Sequence, residues 1–195
     1  MALQAQQIIT LALQIAKAPG FTSQAGQLLN MILQDLCQDY DFEIARKVFS
    51  WTFNSGTGNN SGPYTMPADF LRSVKDDVFY TIVGQPYVMI PIELAEYDRL
   101  SQTAGLASYP EFFASDMSQT PPVLYVWPPP SGSYPVTQRY YSLMPDITTP
   151  ETSSVVPWFQ NTNYLKTRLA AEVMQITDDE RALIKRWFEG GASVQ

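Results

Sequence analysis

The chain has 195 residues, with 12 Lys plus Arg against 19 Asp plus Glu, a formal charge of -7 and no histidine. An acidic balance argues against a surface that grips nucleic acid, and the lack of histidine removes the commonest general base and every Ser/His or Cys/His nucleophile pair. Cys37 is the sole cysteine, which excludes an internal disulfide and a cysteine metal cage and suits synthesis in a reducing compartment.

This length can bury one core, and a single compact unit over 1–195 is expected. Aromatic residues make up 13% of the chain and charged residues only 16%, more ring surface than a small solvated monomer needs, so some of it is expected to cover a partner. The first eighteen residues or so are amphipathic, interrupted by Gln4, Gln6, Gln7 and Gln14, and lack a basic leader; they do not read as a signal peptide. No run reaches the roughly 18 apolar residues that span a bilayer, so a soluble protein without a membrane partner is expected.

In chain order, Ile8, Ile9, Ala12, Ile15 and Ala16 recur at helical spacing up to Pro19-Gly20, which predicts a helix over 3–18. A second helix follows Thr22 or Ser23, carrying Ala25, Leu28, Leu29, Ile32, Leu33, Leu36 and Tyr40 on one face. Cys37 falls on that face as a small buried thiol. The short link makes the two helices antiparallel neighbours.

Residues 48–53 alternate as a strand, and 54–62 (NSGTGNNSG) form a polar loop without an apolar anchor, expected to be mobile. An extended path through 64–66 leads into Pro67. Residues 69–83 and 87–92 are expected to pair across Gly84-Gln85-Pro86. A short helix over 93–102, with Asp98 and Arg99 outward, precedes a strand at 109–114 and a turn near 116–120.

The segment from Val123 to Leu143 joins two aromatic and β-branched runs through Pro128, Pro129, Pro130 and Gly132. Flat and branched side chains favour strands, and prolines cannot continue a ladder, so a hairpin with a stiff projecting tip is expected. Such a device suits building or binding better than catalysis.

A loop over 144–157, rich in Pro, Ser and Thr, is long enough to be functional or disordered. A helix from about Asn161 carries Tyr164, Leu165, Leu169, Ala170, Val173 and Ile176. Thr177-Asp178-Asp179-Glu180 then spells a capping box for a last helix with Leu183, Ile184, Trp187 and Phe188, ended by Gly190-Gly191. The fold class is therefore α+β: helices over 3–40 and 161–189 close an antiparallel bundle, and an antiparallel β meander with hairpins over 44–143 is inserted between them.

Chemistry is scarce. Asp178-Asp179-Glu180 are explained by capping and the helix dipole, and Asp76-Asp77 beside Lys75 as charges guarding a strand edge. Gly56-Thr57-Gly58 has neither a following helix start nor the Lys-Ser/Thr of a phosphate loop. Arg46-Lys47 and Lys185-Arg186 are too small for a nucleic-acid groove. No catalytic, metal or cofactor residue is assigned, and the chain is not expected to be an enzyme.

Four segments, in order, resemble the head-to-tail connector (adaptor) proteins of short-tailed bacteriophages. They are the leading helical pair with its Leu-rich stripe, Met66-Pro67-Ala68-Asp69-Phe70-Leu71-Arg72, Leu124-Tyr125-Val126-Trp127-Pro128-Pro129-Pro130, and the stretch from Trp158 to Glu180. The resemblance implies a virion protein made in the bacterial cytoplasm. It implies a homo-oligomeric ring, usually of twelve copies, under the portal protein, which extends the DNA channel and offers a platform to a tail nozzle or other tail protein. DNA would be passing cargo only, and an acidic wall would keep the duplex from sticking.

Within that reading the expected protein-contact residues are Trp127, Pro128, Pro129, Pro130, Ser131, Gly132, Trp187 and Phe188. Two other readings compete with it: a tail accessory or receptor-binding module that uses the aromatic hairpin as its ligand surface, and a hydrolase acting through paired carboxylates.

Overall fold

The structure, a computed structural model, describes residues 3–53, 62–102 and 107–177, except for the side chains of residues 75–77. The predicted polar loop over 54–62 lies, but for Gly62, outside the described residues. So does the chain beyond Thr177, with the capping-box acids and the last helix. The fold is α+β and falls into two compact units, residues 1–40 with 144–195 and residues 41–143.

The first unit contains α1 (Ala5–Ala16), α2 (Thr22–Asp39) and α4 (Thr162–Ile176), which pack against one another. The apolar periodicity sets their buried faces: Ile8, Ile9, Ala12 and Ala16 on α1, Leu29, Ile32, Leu33 and Leu36 on α2, and Leu165, Leu169, Ala170 and Val173 on α4. Burying each large aliphatic side chain contributes about 1.5–3 kcal/mol. Cys37 is buried as expected.

The predicted stripes err at their margins. Ile15, Tyr40, Tyr164 and Ile176 are exposed, while Leu13 and Met174 are buried. Helix α1 ends two residues earlier than its pattern, because Lys17 adopts a left-handed conformation (φ 54°) and donates its amide back to Gln14 and Leu13. At the start of α4, the Asn161 side chain accepts from Tyr164 N at 3.1 Å.

Residues 144–157 are ordered onto this unit. The amides of Ala5 and Gln6, which the first turn of a helix leaves without partners, donate to the carbonyls of Val155 and Ser153 at 2.8 and 3.2 Å. Gln34 Nε2 donates to Met144 O and Asp146 Oδ1, both at 2.9 Å. Gly26 admits the same strap: a Cβ there would lie 2.8 Å from Glu151 Oε2.

Among the described residues the second unit holds eight strands in two sheets. β1 (Arg46–Thr52), β8 (Pro135–Ser142), β3 (Phe70–Ile82) and β4 (Gln85–Val88) lie side by side in that order, antiparallel throughout. The second sheet is ordered β2 (Tyr64–Thr65), β7 (Val123–Trp127), β6 (Phe112–Asp116) and β5 (Ile90–Pro91), with β5 parallel to β6. Both sheets supply one core, which includes Phe53, Val78, Tyr80, Val136 and Tyr140 from the first and Tyr64, Phe113, Leu124 and Val126 from the second. α3 (Leu94–Ser101) lies against β6 and β7, where Tyr97 stacks on Tyr125 with centroids 4.9 Å apart.

Two expected turns are corrected. The runs on either side of Pro128 do not form a hairpin, since β7 pairs with β2 and β6 while β8 pairs with β1 and β3. Each run has a buried alternate set, Leu124 and Val126 in β7 and Val136 and Tyr140 in β8, and the two sets face the core from opposite sheets. The 69–92 hairpin does form, but its turn is Val83-Gly84, because Ile82 sits opposite Gln85. Asp76-Asp77 fall where the register of β3 with β8 shifts, between Ser73 and Val78, and before the stretch Phe79–Ile82 that pairs with β4.

Candidate functional site

Asp69 accepts from Lys47 Nζ at 2.5 Å and from Tyr140 OH at 3.0 Å. Burial pushes its carboxyl up, but the two hydrogen bonds and the Lys47 charge outweigh that and hold it below the ordinary Asp value. Asp116 is held low by the hydroxyl and amide of Ser118, at 2.6 and 2.9 Å; it closes the predicted 116–120 turn.

Arg46 pairs with Glu43, and Arg72 with Asp41. These acids are committed to structural partners. Among the described residues no group of His, Cys, Asp and Glu could hold a metal ion. A depression of about 590 Å³ in the helical unit is lined, among the described residues, by Ala16, Lys17, Ala18, Pro19, Gly20, Phe21 and Thr177, none of which carries a carboxylate or thiol.

What the β unit offers instead is aromatic surface. Tyr80, Tyr87, Tyr109 and Tyr134 form a connected array: Tyr80 lies 5.6 Å from Tyr87 and 5.8 Å from Tyr134, and Tyr109 lies 6.5 Å from Tyr87 and 6.0 Å from Tyr134. Burial and the neighbouring Tyr134, Tyr87, Glu111 and Tyr109 push the Tyr80 hydroxyl up to about 12, so it stays protonated at neutral pH. Tyr87 and Tyr109 are 46% and 52% exposed; Val83, Val88 and Ile90, nearby in the chain, are also exposed. An array of rings partly open to solvent suits a protein contact.

The expected contact residues of the proline segment lie at the side of this array. Trp127, half-buried at the end of β7, accepts from Glu111 N at 2.9 Å. Ser108 N donates to Pro129 O and Ser131 N donates to Ser108 O, both at 2.8 Å. Pro129 and Pro130 are buried, Pro128 and Gly132 are half-buried, and Ser131 is exposed. Gly132 is held against the Tyr134 ring, and Ser131 Oγ lies 3.3 Å from Tyr134 OH.

The segment is thus an arch tied to residues 108–111, which corrects the projecting tip. Three successive carbonyls without their own amides need donors, and Ser108 supplies one. Trp187 and Phe188 lie outside the described residues.

Sequence reasoning missed Tyr87, Val88, Ile90 and Tyr109 as surface residues. The available signal was the run Tyr87-Val88-Met89-Ile90, apolar on both faces where a strand with one wet face alternates. Only Met89 of the four is buried.

Residues 3–189 match the family model described as SU10 adaptor protein. No curated protein matches the chain.

Proposed function

The chain belongs to the SU10 adaptor protein family, and on that premise we propose that it is the head-to-tail adaptor of a virion, a structural part and not a catalyst. Copies of it form a homo-oligomeric ring, of twelve in the reading that the family resemblance implies, beneath the portal protein. The ring extends the channel through which DNA passes and offers its far side to a tail nozzle or other tail protein. Both compact units belong to this one adaptor body.

The family match over nearly the whole chain carries the proposal. It is supported by the partly exposed tyrosine array, which suits a contact between proteins, and by the committed partners of Asp69 and Asp116. The charge of -7 suits a conduit for a polyanion, since like charge discourages adhesion. Contact is assigned to Trp127, Pro128, Ser131 and Gly132 at the arch, with Pro129 and Pro130 as its stiff support, and to Trp187 and Phe188 near the C-terminal end.

The test is direct. Purified chain is mixed with the portal protein of its own virus and imaged by electron microscopy. The reading expects an added ring on one face of the portal, and a chain that stays monomeric and unbound at micromolar concentration refutes it.

A further inference from the structure

We propose that neighbouring copies in this ring join by continuing the first sheet, with the free edge of β1 in one copy pairing with the free edge of β4 in the next; this rests on the ring reading above. The order β1-β8-β3-β4 leaves those two strands at the ends. The four strands alternate in direction, so the two edges run oppositely. A second copy in the same orientation therefore presents its β4 antiparallel to β1. The two edges are different surfaces, so the contact is head-to-tail and repeats around an axis, as a ring requires.

The backbone groups fit that junction. Phe53 N–H donates to Tyr134 O at 3.0 Å, so alternation turns the amides of Phe49 and Trp51 toward β8 and those of Val48, Ser50 and Thr52 to the open side. At the other edge, Met89 N–H donates to Val78 O at 2.9 Å, which leaves Val88 N–H and the carbonyls of Pro86 and Val88 facing out. Pro86 has no N–H, so the junction forgoes one hydrogen bond.

The outward residues of both edges carry their side chains on the solvent face of the sheet. Directly paired residues share a face, so the neighbour's solvent face continues this one. Val48 and Val88, 62% and 56% exposed, would lie on that shared face.

The other edges fit less well. β2 and β5 are two residues long, and β5 contains Pro91, the short and proline-bearing edges that proteins use to prevent pairing. β1 runs seven residues without a proline and keeps unbroken register with β8. Its cations, Arg46 and Lys47, sit at one end and are paired with Glu43 and Asp69. Val48 through Thr52 is an uncharged stretch of unpaired edge, and β4, Gln-Pro-Tyr-Val, brings no charge against it.

Assembly of the full chain with portal, read by electron microscopy and by mass photometry, tests the junction. Ser50→Pro removes an outward N–H without touching the β1–β8 ladder, and Val88→Lys places a charge at the junction from a position already in water. Both are expected to lose the ring species while keeping the wild-type circular dichroism and melting temperature. If Ser50→Pro fails to fold, Val88→Lys decides. A third variant carrying Val48→Cys and Val88→Cys is expected to give disulfide-linked ladders of copies under mild oxidation, since native Cys37 is buried.

Rings from Val88→Lys at the wild-type level, together with no cross-linked ladder, overturn the junction while leaving the ring intact. Absence of any ring from wild-type chain overturns the ring reading itself.

Discussion

Asn30 on α2 grips the backbone of Ile147 with both atoms of its side-chain amide, donating from Nδ2 to Ile147 O at 3.1 Å and accepting from Ile147 N at 3.0 Å. The pair works as a short piece of ladder for a segment that has no strand to join, and Ile147 itself is buried. Asn30→Leu leaves a peptide N–H and C=O without their partners, at a cost of about 1–3 kcal/mol. For a chain of this size that is a melting temperature lower by about 2–10 °C. Asn30→Asp keeps the acceptor, so the amide of Ile147 retains its bond and the loss is smaller. Differential scanning calorimetry measures both, and limited proteolysis is expected to cut within 144–157 sooner in Asn30→Leu.

Asp69 gives the β unit a dependence on acid. Its folded pKa lies below its unfolded value, so the unfolded chain binds the proton more readily, and stability rises with pH through that window. The contribution is present above the unfolded pKa, about 4, and is lost as pH falls through the folded one. Asp69→Asn should be less stable than wild type at pH 7, and the difference should shrink as both are acidified toward pH 2. Urea midpoints measured across that range test the sign; a gap that widens in acid contradicts it.

Gly132 is a test of the arch. A Cβ there would meet the Tyr134 ring at 2.8 Å, while one at Gly20 meets nothing within 4 Å. Gly132→Ala must push a ring that is itself packed against Tyr80 and Tyr109, at about 1–3 kcal/mol. Gly20→Ala serves as the control and should shift the melting temperature far less. A near-ultraviolet circular dichroism change is expected in Gly132→Ala alone, because only there do tyrosines move.

The helices were legible from periodicity, because a 3.6-residue repeat fixes a buried face whatever the partner is. Strand alternation carries less. It says that Leu124 and Val126 share a face and that Val136 and Tyr140 share one, but not that the two faces belong to different sheets. Gln138 and Ser142 blurred the second run further: both are polar and fully buried, stabilised by contacts made at long range, Gln138 Nε2 to Ser73 Oγ and Ser142 Oγ to Ala45 O.

The tyrosine array was hidden for the same reason. Tyr80, Tyr87, Tyr109 and Tyr134 come from scattered places in the chain, and only the folded sheets stack them. The strap over 144–157 looked free because its anchors, Asn30 and Gln34, lie on a distant helix.

Val83 carries a strain that can be removed. It and Gly84 form the two-residue turn between β3 and β4, and both have positive φ, 47° and 79°. Tight hairpin turns demand that conformation, and Asn or Gly adopts it readily. A branched residue does not: the Cβ approaches the following carbonyl oxygen, at about 1–2 kcal/mol. Val83 recovers none of this by burial, since it is 96% exposed.

Val83→Asn is therefore expected to raise the melting temperature by about 2–4 °C. Val83→Ala keeps the Cβ and should gain distinctly less, so the two variants separate relief of backbone strain from the removal of an exposed apolar side chain. Equal gains would assign the effect to the side chain, and no gain in Val83→Asn would show that the turn is not strained.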